Sequence, residues 1–106
     1  MQVVSIFIPG NVQPYERGKF VDPLEEELLR QGLGEVIEEG THLATEGGRQ
    51  VVRGCEIQVE VSDLNAAVGL MIRELTKAGA PPATELTAEK RGQRTRWRLG
   101  DFERAK

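Results

Sequence analysis

Tyr15, Arg17 and Lys19 crowd a stretch that follows an apolar run and leads into Asp22-Pro23, a pairing of capping carboxylate and proline that opens helices. Free N–H groups and the dipole at a helix N-terminus favour anions, so basic side chains beside one have the makings of an anion site. Ser62-Asp63 marks a second helix start, expected at the same rim, and Tyr15, Arg17, Lys19 and Asp63 form the candidate ligand-binding set. The plainer reading is a loop that closes over a sheet end with its charges solvated. Pro9-Gly10-Asn11 is no nucleotide fingerprint.

Cys55 and His42 are the sole cysteine and histidine. An internal disulfide is therefore excluded, and so is a Cys/His zinc cage built from one chain. Cys55 shares its strand phase with Ile57, Val59 and Val61, which predicts a buried thiol of raised pKa rather than a nucleophile. Glu56 and Glu60 take the opposite phase, with Glu38 across a hairpin as a candidate third. Side chains two apart on one strand face stand about 7 Å apart and are able to share a cation, but a solubilising acidic face is the plainer reading. Neither a metal nor a cofactor is expected.

Arg94, Arg96 and Arg98 fall on one face of a short alternating run, with Thr95, Trp97 and Leu99 on the other. An arginine ribbon is able to track phosphates. Here the strands that would supply stacking aromatics offer Phe7 and then Glu56, Gln58 and Glu60, so nucleic acid is a minor expectation. The ribbon suits an acidic protein surface better. Residues 90–106 hold seven basic and two acidic side chains, about +5 within a net charge of −3, which leaves an acidic body.

These groups need a scaffold. A 106-residue chain that is 39% hydrophobic and 29% charged can bury one core as a single domain. No window approaches the roughly 18 apolar residues of a membrane span. Val3–Ile8 lacks a basic leader and reads as a first, central strand, which makes the cytoplasm the expected compartment. A long loop over 9–21 follows, then a helix over about 23–31 ended by Gly32. A strand over 35–45, irregular at Gly40, pairs through Glu46-Gly47-Gly48-Arg49 with a strand over 51–61. Leu64, Val68, Met71, Ile72 and Leu75 make the apolar face of a second helix stopped by Gly79 and Pro81-Pro82. Strands over 84–89 and 95–99 close the chain through Arg91-Gly92.

Strand, helix, hairpin, helix, strand predicts an α+β fold: a ferredoxin-like βαββαβ sandwich, two helices on one face of an antiparallel sheet, with a C-terminal β-hairpin extension. The core would span 2–89, with 90–106 as basic hairpin and tail. The string Gln13-Pro14-Tyr15-Glu16-Arg17-Gly18, the Asp22-Pro23-Leu24-Glu25-Glu26 helix start, Gly34-Glu35-Val36, Gly40-Thr41 and Cys55-Glu56-Ile57 resemble a group of small bacterial proteins with no assigned activity. That resemblance spans about residues 8–82 and implies the ferredoxin-like fold, without functional residues to carry over.

The residues favour binding over catalysis. The leading expectation is a protein-interaction module that self-associates, as a dimer first of all, or binds another protein. Its surface would comprise Phe7, Glu56, Glu60, Arg94, Arg96, Arg98 and Trp97. The alternative is a sensor or enzyme for a small anionic ligand on the Tyr15, Arg17, Lys19 and Asp63 rim.

Overall fold

The computed structural model describes residues 2–103, with side chains through Asp101. Alternating apolar residues build a five-stranded antiparallel sheet in the order β2-β3-β1-β4-β5, from β1 Gln2–Pro9, β2 Gly34–Glu46, β3 Arg49–Val61, β4 Glu85–Lys90 and β5 Gln93–Arg98. Three helices join it: α1 Gly18–Arg30, α2 Leu64–Lys77 and a short α3, Leu99–Glu103. The architecture is α+β. None of the described helices is long and apolar enough to cross a membrane.

In β1 the even positions Val4, Ile6 and Ile8 are buried, and their register partners Val59, Ile57 and Cys55 on β3 are buried with them. Directly opposed residues of an antiparallel pair point to one side. This inward face, extended by Leu86 and Ala88 of β4, packs against Phe20, Val21, Leu24 and Leu28 of α1 and Leu70, Met71 and Leu75 of α2. The odd positions of β1 face away, on the side without helices.

Helix α1 corrects one expectation. It begins at Gly18 and carries Pro23 inside it, while Asp22 is exposed and caps nothing. The apolar stripe explains this, because Phe20, Leu24 and Leu28 recur at i, i+4 and i+8. Burying Phe20 and Val21 makes the extra turn worth more than the backbone hydrogen bond that Pro23 removes. A single 3-10 turn, Pro14–Glu16, feeds into it, so the long loop shrinks to a few residues. Both main helices end alike: Gly32 and Gly79 take left-handed backbone, and the N–H of Leu33 reaches back to Leu28 as that of Ala80 does to Leu75.

Two further corrections concern strands. Gly40 sits in regular register opposite Glu56, and the irregularities lie between Val36 and Glu38 and between His42 and Leu43. The last strand ends at Arg98 because Leu99, fully buried, turns inward: its N–H donates to the Thr84 carbonyl and starts α3. A tight constraint sits at Gly54, where a Cβ would collide with the carbonyl oxygen of Ile8 and approach the Phe7 ring at 2.8 Å. At Gly40 a Cβ meets nothing within 4 Å. Gly54→Ala should therefore cost about 1–3 kcal/mol in urea denaturation, and Gly40→Ala should stay within about 0.5 kcal/mol of wild type. A costly Gly40→Ala would place the strand irregularity back at that residue.

Candidate functional site

The open face of the sheet orders its charges in three rows. Glu35, Glu60 and Val3 are register partners across β2, β3 and β1; Val3 borders a surface hollow of about 270 Å³ with Glu89, and Glu89 partners Arg94. The second row runs Glu38, Gln58, Ser5, Thr87, Arg96, and the third Gly40, Glu56, Phe7, Glu85, Arg98. Acids occupy one edge and arginines the other. Central β1 alone presents no charge on this face, only Val3, Ser5 and Phe7, with the Ser5 hydroxyl donating to Gln58 Oε1 at 2.8 Å.

Within the chain the arginines meet the acids of β4. Arg94 Nη2 lies 3.3 Å from Glu89 Oε1, and the Nε atoms of Arg96 and Arg98 lie 3.7 and 3.9 Å from the two oxygens of Glu85. All three arginine side chains stay more than half exposed, and pairs of this kind contribute little to stability. Glu56 and Glu60 lie three strands from β5, about 14 Å away at the usual strand spacing. The ribbon does not meet them within one chain.

Trp97 is not part of this surface. It is the register partner of Leu86, so its ring lies on the helix side and packs against the core. Of Thr95, Trp97 and Leu99, expected on the other side of the ribbon, Leu99 is buried and Trp97 partly so, while Thr95 stays exposed.

The expected anion rim does not assemble. Register pairs Pro9 with Gly54 and Gln2 with Val61, so the loop after β1 and the start of α2 lie at opposite ends of the sheet, about 23 Å of strand apart. The reason is that β1 and β3 are antiparallel and each helix follows its own strand. Asp63 caps α2, accepting the Ala66 N–H at 3.2 Å. Arg17 turns under the sheet edge: its Nη1 donates to Thr41 Oγ1 at 3.0 Å and its Nε lies 3.7 Å from Glu39 Oε1, with 22% of the side chain exposed. It ties the start of α1 to β2. Lys19 Nζ sits 4.9 Å from the centroid of the Phe20 ring, and Tyr15 is 84% exposed.

His42 and Cys55 lie on opposite sides of the sheet. Cys55 is fully buried beneath the helices, whereas exposed His42, partnered with Gly54, stands edge-on to the Phe7 ring with centroids 5.6 Å apart. Among the described residues no group of three or more His, Cys, Asp or Glu side chains is arranged to hold a metal ion.

No family model and no curated protein sequence matches this chain. Among solved structures it is similar to the apo form of a phage SAM lyase, with TM-score 0.58 and 16% identity over 92% of this chain and 86% of that one. It is also similar to a tRNA fluorescent labeling enzyme, with TM-score 0.52 and 16% identity over 86% of this chain. The match spans only 24% of that enzyme's chain. At such identity the likeness is one of fold.

Burial pushes the Cys55 thiol from its ordinary value of 9.0 up to about 11, with Glu39 adding to the rise and Arg17 opposing it. Between about pH 9 and 11 the unfolded chain loses this proton while the folded chain keeps it, so the group's contribution to stability falls as pH rises through that window, by on the order of 2 kcal/mol. Urea denaturation of wild type and Cys55→Ala at pH 8 and 10.5 should show the steeper loss in wild type. The native thiol should also resist a disulfide reagent at pH 8 until the chain is unfolded. Rapid native labelling would contradict its burial.

Proposed function

We propose that this chain is a small non-catalytic interaction module whose open sheet face pairs with a second copy of itself. One observation carries the reading: arginines line β5 beside the two glutamates of β4, while the acids of β2 and β3 lie beyond uncharged β1, too far to reach those arginines within one chain. Charges so divided find their complements in another molecule, where they guide encounter and select orientation more than they add raw affinity. The order β2-β3-β1-β4, with two helices on one face, supports a ferredoxin-like core to which β5 is added as an extension. That extension brings the arginines to the surface the core leaves open.

The ligand-sensor alternative loses its support, since Arg17 is engaged with Thr41 and Glu39, and Asp63 lies at the far end of the sheet. The activities of the SAM lyase and the labeling enzyme belong to those proteins.

Sedimentation of the wild-type chain at about 100 μM should show a dimer, in the range where micromolar association is populated. The triple variant Arg94→Glu/Arg96→Glu/Arg98→Glu should be monomeric, and so should Glu35→Arg/Glu38→Arg/Glu60→Arg. Mixing the two should restore a heterodimer. A wild-type monomer at that concentration, or variants that fail to complement, would sink the proposal.

A further inference from the structure

Resting on that reading, we infer that two copies pair face to face about a two-fold axis running parallel to β1 and passing over Ser5, so that β5 of each copy lies across β2 of the other. Symmetry supplies the first argument. A strand beneath such an axis faces its own copy, and like charges placed there repel. Only β1, with Val3, Ser5 and Phe7, is free of charge on this face, and it is also the middle of the five strands.

The rows supply the second. Rotation about an axis along the strands preserves each residue's height along them and reverses the strand order. Arg94 then falls over the partner's Glu35, Arg96 over the partner's Glu38, and Arg98 over the partner's Gly40, with the partner's Glu60 and the partner's Glu56 one strand farther in along the first and third rows. The perpendicular in-plane axis sets β2 on β2 and β5 on β5, acid on acid and arginine on arginine.

The chosen axis does bring Glu85 over the partner's Glu56 and Glu89 over the partner's Glu60. Each β4 glutamate already holds arginine from β5, at 3.3 Å for Glu89 and at 3.7 and 3.9 Å for Glu85, which offsets part of its charge against the partner's glutamate. The six glutamates of the face outnumber its three arginines, which keeps the pairing weak and reversible. Area agrees. Five strands at about 4.8 Å spacing and six residues of strand length give roughly 500 Å² per copy, so the pair buries about 1,000 Å², the lower bound for a specific interface.

Glu38→Cys and Arg96→Cys test the axis, since both lie in the middle row on opposite edges. Facing sheets stand about 10 Å apart, so a bis-maleimide of about that reach joins residues that face each other. Cys55 stays silent, being fully buried. A mixture of the two variants should give a cross-linked dimer, while each variant alone, still sedimenting as a dimer, should give none. A Glu38→Cys product with itself would establish the perpendicular axis and overturn the inference. A dimer by sedimentation with no product joining positions 38 and 96 would also overturn it while leaving self-association intact. A wild-type monomer would remove the reading beneath both.

Discussion

The antiparallel register of β1 against β3 decides which side of every strand meets the helices. With Ile6 opposite Ile57 and Val4 opposite Val59, the inward face is continuous and apolar, and α1 and α2 lie over it. Slipping β1 by one residue against β3 would set Ile6 opposite Glu56 or Gln58, turning Val3, Ser5 and Phe7 inward and Val4, Ile6 and Ile8 out to water, an exchange no sheet with one buried face tolerates. Gly54 helps hold that register, because only a residue without Cβ lets the Ile8 carbonyl and the Phe7 ring approach so closely. The same register that buries the core sets Val3, Ser5 and Phe7 in a line on the other side.

Charge on the open face follows from that line. Exposed ion pairs such as Arg96 with Glu85 return little free energy, because water screens them and long side chains lose freedom in making them. Their value lies in placement. Because β1 and β4 intervene between β5 and β3, the acids of β2 and β3 have no intramolecular access to the arginines. The face therefore keeps its acidic half and its arginine edge apart within one chain.

The other basic residues have different employment. Arg17 looks in sequence like a ligand-binding residue, yet its guanidinium is spent on Thr41 and Glu39, tying the entry of α1 to the edge strand. Asp63 looks like part of a rim and is a helix cap. Both are ordinary uses of polar side chains near helix starts, where backbone groups need partners.

Local patterning was enough for the elements. Alternation in Cys55, Ile57, Val59 and Val61 already placed Cys55 inside and Glu56 and Glu60 outside, and the i, i+4 spacing of Leu64 and Val68 with Gly79 beyond already marked α2, because period and end signals are properties of neighbouring residues. Arg94, Arg96 and Arg98 were likewise legible as one face of a strand. Tertiary structure decided the rest. The start of α1 moved to Gly18 because burial of Phe20 outweighed the proline signal, Trp97 went to the core because register set it beside Leu86, and the loop after β1 was parted from Asp63 because adjoining strands run in opposite directions. Which arginine shares a row with which glutamate of β2 or β3 depends on pairing between residues about 35 to 60 apart in sequence, and no local pattern encodes a partner at that distance.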